Sequence, residues 1–448
     1  MTEMFRYLTG ILEKEEQRAW RICAFLSLLS PIVDIFSFSV IIYIINIVVR
    51  ENEASPRLVA FTFFMAAVSV GKCLFELYKS RISNRFVYDG AQKLSMKIYE
   101  LLIKEDLTDH NEKSAMQALT MVRSDTTSCI NIINACIGIW VNGVTMAGYA
   151  LVLILVSGWI GVVVSALLVL LMAGVFLQNR ARIKTYGERC RAYEIRANSQ
   201  ITIAYGTFKE MKIDDRSAFI LQKYGDASSG YAKVQSEFRY KSGGVSILMQ
   251  NSIMAVMFAA LAVFLVAGAD LAAVLAPMVV YITALVRMIP MAYGVISGMN
   301  NVEFARRPYQ TLKENMARYE AVKARETQYA GLRQKKLTFR KGLSVRGLTF
   351  GYREDRKIFD DASIEIPVGC SIAVIGASGA GKTTFLDLIL GLLKPQSGHV
   401  LYDDYDIVTQ TDGEGPCRAS MGDLVSYIPQ TVYLNGETIR NNVSFFED

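Results

Sequence analysis

The stretch SIAVIGASGAGKTTFLDLILG occupies residues 371–391 of a chain of 448 residues. Within it, GASGAGKT fits the pattern G-x-x-x-x-G-K-[ST] of a phosphate-binding loop. The fixed positions of that pattern are Gly376, Gly381, Lys382 and Thr383. The apolar run 372–375 before the loop predicts a β-strand, and the apolar spacing over residues 385–390 predicts a helix after it. This order of elements predicts an α/β domain that binds a phosphorylated ligand.

The residue types of the loop suit a nucleotide. Glycines let the backbone curl so that its N–H groups face phosphate oxygens, and the start of the following helix adds a favourable dipole. We expect Lys382 to reach the β- and γ-phosphates of ATP and the Thr383 hydroxyl to bind Mg²⁺. The predicted nucleotide-binding residues of this segment are Gly376, Ala377, Ser378, Gly379, Ala380, Gly381, Lys382, Thr383 and Thr384.

Two side chains flank the loop at a distance along the chain. Tyr352 lies 24 residues before Gly376, and Gln430 lies 48 residues after Lys382. Tyr352 could stack on an adenine ring or simply end a strand. Gln430 follows a short apolar run that predicts a strand. Its amide could reach Mg²⁺ or the attacking water, or lie on the surface.

The composition of the whole chain indicates a membrane protein. Apolar residues make up 52%, charged residues only 20%, and the mean hydropathy is +0.27. The net charge of +6 fits basic cytoplasmic loops, so we expect a lipid bilayer and no nucleic acid as partner. Seven cysteines without paired spacing predict buried free thiols, and the presence of only two histidines argues against a His-based metal site.

Six apolar runs are long enough to cross a bilayer, and they predict six transmembrane helices. They cover residues 22–49, 58–78, 130–156, 160–177, 245–266 and 271–299. The connection 179–244 carries thirteen basic and seven acidic residues, whereas the connections on the other side are short. Basic loops stay in the cytoplasm, so we expect both termini there as well.

The predicted domains follow from these runs. They are an amphipathic N-terminal helix at 1–21, a transmembrane domain at 22–300, a helical extension at 301–336 and an ATP-binding domain at 337–448. The first of these could lie on the membrane surface or form a polar tail. The two long inner connections predict helical extensions of the spans, which end in turns near 106–113 and 206–214. We expect those turns to contact another domain.

Four charged residues fall inside the predicted spans, where charges are costly and usually face a partner or a cavity. Lys72 and Glu76 are spaced to pair with each other. Arg287 could pair with Asp34 or another acid, or it could line a cavity that meets a pyrophosphate head group. Asp34 and Arg287 are therefore candidates for the substrate cavity.

Six spans, a phosphate-binding loop, an upstream tyrosine and a downstream glutamine together resemble an ABC exporter half-transporter. The phrases at residues 386–404 and 427–445 carry the same resemblance, which covers the transmembrane domain and the first part of the nucleotide-binding domain. It implies a multi-span α-helical membrane domain of six helices, followed by a partial α/β P-loop domain. It also implies that Tyr352 stacks on adenine, that residues 376–383 hold the phosphates, and that Gln430 contacts Mg²⁺ and senses the γ-phosphate.

The activity implied by this resemblance is ATP-driven translocation, with ATP and Mg²⁺ bound and a second half-transporter, in a homodimer, as partner. The phrases at 31–45 and 284–305 resemble the bacterial flippase group that moves lipid-linked oligosaccharides. They favour an amphipathic or lipid-linked substrate and the bacterial inner membrane. A peptide or drug exporter is the alternative substrate class.

Several motifs of that family are expected but missing from the 448 residues. We find no signature segment, Walker B aspartate, catalytic glutamate or switch histidine. His399 does not fit the switch histidine, because it lies in an early predicted strand. We expect this chain to bind ATP weakly and not to hydrolyse it. It would be a fragment, a truncated product or part of a longer protein. A membrane protein that binds nucleotide without catalysis is the alternative of another class.

Overall fold

The computed structural model describes residues 1–51, 56–157, 159–266, 271–353, 355–422, 424–429, 434, 436 and 438–444. The chain forms two compact units. One contains residues 1–103 and 113–319, and the other contains residues 104–112 and 320–448. The second unit therefore begins before the predicted boundary at 337 and includes the first of the two predicted inner turns.

The helices follow the chain order with short connections. They are α1 (Thr2–Ile11), α2 (Lys14–Glu51), α3 (Pro56–Lys104), α4 (Leu107–Asn111), α5 (Ala115–Leu119), a π-helical turn (Thr120–Asp125), α6 (Thr126–Ser157), α7 (Trp159–Gly206), α8 (Phe208–Ile213), α9 (Ser217–Val266), α10 (Leu271–Phe304), α11 (Arg306–Ala330), α12 (Lys382–Ile389) and α13 (Ile439–Ser444). Each predicted span falls within one long helix, as a bilayer requires, because only internal hydrogen bonding satisfies the backbone there.

Four helical stretches of the described residues are long and apolar enough to cross a membrane. They are Lys14–Ile44, Val59–Lys104, Ala115–Leu155 and Ile282–Phe304. The spans predicted at 160–177 and 245–266 lie on α7 and α9, but most of their side chains fall outside the described residues. Those two spans stay predictions.

The membrane helices α2, α6 and α10 share an apolar core. It contains Phe38 of α2, Tyr149 and Leu153 of α6, and Met288 and Ile296 of α10, all buried. Small residues let α10 approach α6 closely. A Cβ at Gly294 would lie 2.5 Å from Nδ2 of Asn142, and one at Gly298 would lie 2.7 Å from Cγ1 of Ile139. This spacing of small residues is typical of helix packing in membranes.

Helix α1 packs inside its own unit. Leu8 is fully buried, and Leu12 is nearly so. The Tyr7 ring meets that of Tyr309 on α11 edge to face at 5.8 Å, and Lys313 lies over the same Tyr7 ring. The predicted amphipathic helix is present over Thr2–Ile11, and its apolar side chains Met4 and Leu8 pack on the protein. Its location at the membrane surface stays a prediction.

The second unit contains a seven-stranded sheet in the order β1-β7-β6-β5-β4-β2-β3. Its strands are β1 (Arg333–Lys335), β2 (Gly342–Phe350), β3 (Phe359–Pro367), β4 (Ser397–Tyr402), β5 (Tyr405–Asp406), β6 (Thr411–Asp412) and β7 (Gly415–Ala419). Within the described residues, the β1–β7 pair is parallel and the other strand pairs are antiparallel. A mixed sheet with helices confirms the predicted fold class, an α-helical membrane domain followed by an α/β domain.

Strand β2 positions helix α12 through its buried face. Val345 and Leu348 are buried in one core with Val400 of β4 and Leu388 of α12. The buried positions change from odd to even numbers at a register shift beside Gly347, whose φ is +60°. A bulge of this kind keeps the apolar side chains on one face.

Two predicted strands are absent. Residues 371–375, before the loop, and 425–429, before Gln430, have no strand pairing. Their apolar side chains stay exposed, with Ile375 at 91% and Ile428 at 88% of full exposure. The prediction was wrong at both places because an apolar run becomes a strand only when another strand donates hydrogen bonds to it.

Candidate functional site

The phosphate-binding loop leads directly into α12. Gly379 and Gly381 have φ values of +79° and +90°, a left-handed conformation that glycine adopts without steric cost. Gly381 is the N-cap of α12 and has no side chain that could accept a hydrogen bond from the first N–H groups of the helix. The first N–H groups of α12 are therefore available to an anion. Residues 376–380 are all exposed, so the loop is open to a ligand.

The Lys382 ammonium closes over the loop. Its Nζ donates hydrogen bonds to the carbonyl oxygens of Gly376 and Ala377, both at 2.9 Å. This position holds one positive charge beside the α12 N-terminus, where phosphate oxygens would be stabilised. The role predicted for Lys382 stays a prediction, and an anion bound at this loop would replace the two carbonyl oxygens as partners of the ammonium.

Helix α12 is anchored by its own sequence. Leu388 is buried against β2 and β4, and the helix ends before Gly391, whose φ of +70° permits the left-handed cap. The amide of Leu392 then donates to the Asp387 carbonyl at 2.9 Å. The loop is therefore held by a helix with a fixed start and a fixed end.

The predicted adenine-stacking residue lies beside this helix. The Tyr352 hydroxyl is 3.4 Å from Oγ1 of Thr384, and the Tyr352 ring packs edge to face on Phe350 at 5.2 Å. Tyr352 is still more than half exposed, so one ring surface remains open to a base. The structure brings Tyr352 and the loop together, although they are 24 residues apart in sequence.

The two threonines of α12 differ in their surroundings. Thr384 is buried and faces Tyr352, whereas Thr383 is exposed and its hydroxyl has no hydrogen-bond partner among the described residues. A free hydroxyl at this position fits an Mg²⁺ ligand. Gln430, the second predicted Mg²⁺ contact, lies outside the described residues.

A cavity of about 400 Å³ adjoins the loop. Its lining combines Lys382 and Gly381 with apolar side chains of β3, α12 and the segment before the loop. These include Phe359, Ile364, Val374 and Phe385. The sequence pattern did not predict this cavity, because it depends on the exposed segment 372–375 lying apart from any strand.

The polar residues inside the membrane pair differently from the prediction. Lys72 forms its ion pair with Asp34 of α2, and Glu76 pairs with Lys79 at 2.5 Å and accepts a hydrogen bond from Ser30. The predicted Lys72–Glu76 pair is wrong. The spacing along α3 permits that pair, but α2 packs against α3 and places the Asp34 carboxylate nearer to Lys72.

Arg287 lies near Asp34 and Tyr149 but forms no ion pair with a carboxylate among the described residues. Its Nη1 is 3.5 Å from the Tyr149 hydroxyl, and that hydroxyl donates to the Asp34 backbone carbonyl at 3.3 Å. Among the described residues, no carboxylate lies within ion-pair distance of Arg287. The alternative in which Arg287 pairs with the Asp34 side chain is therefore wrong.

The first inner turn contacts the nucleotide-binding unit to which it belongs. Leu107 of α4 packs against the core formed by β2, β4 and α12. Arg325 of α11 binds Asp106 at 3.1 Å, and Lys104 binds Glu326 at 2.9 Å. The sequence predicted a contact at 106–113 but did not single out Leu107. The available indication was that Leu107 is an apolar residue in a polar turn.

The seven cysteines are all free. Five are buried, as predicted, but Cys73 and Cys370 are exposed. His399, predicted to be structural, lies on β4 with its Nδ1 2.7 Å from the Asp406 carboxylate.

Comparison with known proteins gives two family matches. Residues 20–289 match the ABC transporter transmembrane region, and residues 359–447 match the ABC transporter family. The solved structure of a bacterial Atm1-family ABC exporter with ATP bound superposes with a TM-score of 0.63 at 17% identity, over 88% of this chain and 68% of that one. At that identity the likeness supports the fold alone.

Relatives with curated names are similar over varying lengths. The mitochondrial iron–sulfur clusters transporter ATM1 of Gibberella zeae is 24% identical over 92% of this chain and 58% of its own length. The ATM1-type heavy metal exporter of Novosphingobium aromaticivorans is 35% identical over 24% of this chain and 17% of its own length. This chain thus spans less than two thirds of these relatives, and neither is named as a flippase. Because the transmembrane match alone covers more than half of the 448 residues, the chain belongs to the ABC transporter family, with an exporter-type transmembrane region followed by a nucleotide-binding domain.

Proposed function

We propose that this chain is one subunit of an ATP-driven exporter that moves an amphipathic substrate across a membrane. The observation that carries the proposal is the geometry at α12. The Lys382 ammonium, the uncapped helix start and the half-exposed Tyr352 ring converge on one open loop. This combination provides groups for the phosphates and the base of a single nucleotide.

Nucleotide binding would proceed through these side chains. The first N–H groups of α12 bind phosphate oxygens, and Lys382 exchanges its two carbonyl partners for the β- and γ-phosphates. Thr383 and Gln430 would hold Mg²⁺, which neutralises phosphate charge. Tyr352 stacks on the adenine ring. ATP binding then brings the nucleotide-binding domains of the two subunits together, and the inner turns pass this motion to the membrane helices.

The test is ATP affinity in a lysine variant of the full chain. Lys382→Ala should weaken binding of a fluorescent ATP analogue at least about tenfold, because a charged hydrogen-bond donor to the phosphates is lost. Lys357→Ala is the matched control, since Lys357 is exposed and pairs only with Asp360 among the described residues. Equal affinity of wild type and Lys382→Ala would refute the proposal.

We further propose that these 448 residues do not turn over ATP by themselves. They contain no segment that resembles a signature sequence or a Walker B strand. Vanadate-sensitive phosphate release by the purified chain would contradict this. ATP binding without any response of the membrane helices would instead favour a nucleotide-binding membrane protein without transport.

The proposed partner is a second half-transporter, in a homodimer. Helix α8 at the second inner turn supports this, because it belongs to the membrane unit and presents apolar side chains to solvent. Ile213 is 82% exposed, and Phe208 is 55% exposed. Apolar groups at the tip of a cytoplasmic extension are typical of a docking contact.

The proposed substrate is a lipid-linked oligosaccharide or a similar lipid with an anionic head group. Arg287 supports it as a half-buried cation at membrane depth that lacks an acidic partner among the described residues. Asp34, by contrast, is neutralised by Lys72, so its role as a cavity residue is weaker. The basic inner connections support cytoplasmic termini, and we propose the bacterial inner membrane as the location.

The names of the relatives suggest a second candidate, a metal-containing cargo such as a heavy metal or an iron–sulfur cluster species. Thermal unfolding in detergent separates the two. A lipid pyrophosphate should raise the melting temperature of wild type and not of Arg287→Met. A rise with Cd²⁺ alone, retained in Arg287→Met, would support the metal cargo and overturn the lipid proposal.

A further inference from the structure

The junction between α10 and α11 is held tightly by the neighbouring helices. Helix α10 ends at Phe304, and α11 begins at Arg306, so a single residue separates them. A Cβ at the buried Gly187 of α7 would lie only 2.5 Å from the Phe304 carbonyl oxygen. The ring of Phe238 on α9 packs on that of Phe304 with centroids 4.4 Å apart. The junction therefore contacts α7 through its backbone and α9 through the Phe304 ring.

Arg191 lies one helical turn beyond Gly187, on the same face of α7. Its Nη2 donates to Oδ2 of Asp125 at 2.5 Å, and its Nη1 donates to Oγ1 of Thr311 at 2.9 Å. Thr311 is on α11, and Asp125 ends the π-helical turn before α6. One guanidinium thus connects α6, α7 and the first turns of α11.

The Asp125–Arg191 pair is buried, with side-chain exposures of 3% and 14%. Nε of Arg191 has no hydrogen-bond partner within the described part of the chain. A buried ion pair adds little net stability compared with well-packed apolar residues, and an unsatisfied donor lowers it further. Stability alone therefore does not account for a charged pair at this position.

The backbone that presents Asp125 is also unusual. A π-helical turn inserts one residue into the helix, which changes the face that later side chains occupy. The hydroxyls of Thr126 and Thr127 donate to the carbonyls of Val122 and Arg123 at 2.7 and 2.8 Å. Such turns are frequent at functional positions because they are costly elsewhere.

We propose that Arg191 is a positioning residue of the transport cycle, which ties the start of α11 to α6 and α7 so that motion of α11 is transmitted to the membrane helices. Helix α11 begins in the membrane unit, and its last residues belong to the nucleotide-binding unit. Helix α11 therefore offers a continuous helical route for a movement that starts at the nucleotide site, in addition to the route through the inner turns. The inference rests on the proposed ATP-driven function.

The test measures amide hydrogen exchange of the full chain in lipid nanodiscs, with and without ATP. Wild type should show ATP-dependent protection in α6 and α10. In Arg191→Met the ATP affinity should stay unchanged, whereas this protection should fall at least about tenfold. The control is Arg189→Met, because Arg189 is exposed on the same helix and should behave as wild type.

Thr311→Val keeps the buried ion pair and removes only the bond to α11, so it serves if Arg191→Met does not fold. It should also reduce ATP-dependent protection of α6 without changing ATP affinity. Full ATP-dependent protection in Thr311→Val or Arg191→Met, even with a lowered melting temperature, would show a merely structural role and overturn the inference. Wild type that fails to bind ATP would overturn the proposed function, and this inference with it.

Discussion

At the residue scale, we propose that the exposed ring of Tyr352 stacks on the nucleotide base. Replacement by alanine should weaken ATP binding about tenfold, since stacking on an aromatic ring contributes about 1–3 kcal/mol per base. Tyr352→Phe keeps the ring and loses only the 3.4 Å contact with Thr384, so its affinity should stay close to wild type. Titration with tripolyphosphate is the control because it lacks a base. A loss of tripolyphosphate affinity in Tyr352→Ala would contradict stacking.

Asp403, in the turn between β4 and β5, holds the backbone at the start of β2. Its carboxylate accepts backbone hydrogen bonds from Arg340, Lys341 and Gly342 at 2.8, 2.7 and 3.0 Å. Burial alone would raise the pKa of Asp403, but these donors lower the pKa below its ordinary value. Asp403→Ala should therefore destabilise the nucleotide-binding unit by about 1–3 kcal/mol. Calorimetry of the full chain in detergent measures this, and an unchanged transition would contradict it.

The same carboxylate predicts a pH dependence with a definite sign. Because the folded-state pKa of Asp403 is lowered, its ionised form stabilises the fold above the pKa of the unfolded chain. That stabilisation is lost as the pH falls through the lower, folded-state value. Between pH 5 and about pH 3 the wild type should lose more stability than Asp403→Asn, which has no charge to titrate. If the free energy of unfolding falls equally with pH in the two proteins, Asp403 is not the group responsible for the pH dependence.

At the scale of the elements, close packing joins α6 to α10. A side chain at Gly298 would meet Cγ1 of Ile139 at 2.7 Å and the Ala135 carbonyl oxygen at 3.3 Å. Gly298→Leu should therefore destabilise the membrane unit by about 1–3 kcal/mol through overpacking. Gly138→Leu on α6 is the control, since nothing lies within 4 Å of a Cβ there. Thermal unfolding in detergent that affects both variants equally would refute this packing argument.

At the scale of the whole molecule, the exposed apolar side chains of α8 predict that two subunits associate. Ile213→Asp places a charge on the proposed docking contact and should lower the dimer fraction measured by light scattering in detergent, without lowering the melting temperature. Val368→Asp, at an exposed apolar residue of the other unit, is the control. A dimer fraction in Ile213→Asp equal to that of wild type would exclude α8 from the interface.

Local sequence patterns were sufficient for some features and not for others. The helices at 22–49 and 130–156 could be predicted because a long apolar run has only one way to satisfy its backbone in lipid. The strand at 372–375 could not, because pairing depends on a neighbour that no local pattern contains. Likewise, helical spacing predicted an ion pair between Lys72 and Glu76. Lys72 pairs with Asp34 instead, because α2 places that carboxylate beside it.

The sequence by itself determined the phosphate-binding loop and the order of membrane and nucleotide-binding regions. Both depend on residues that are close along the chain, such as Gly381 beside Lys382. Only the tertiary structure decided that Tyr352 lies at the loop, that Leu8 is buried and that Arg191 joins three helices. These features depend on groups that are distant in sequence, and packing of whole elements is what brings such groups within bonding distance.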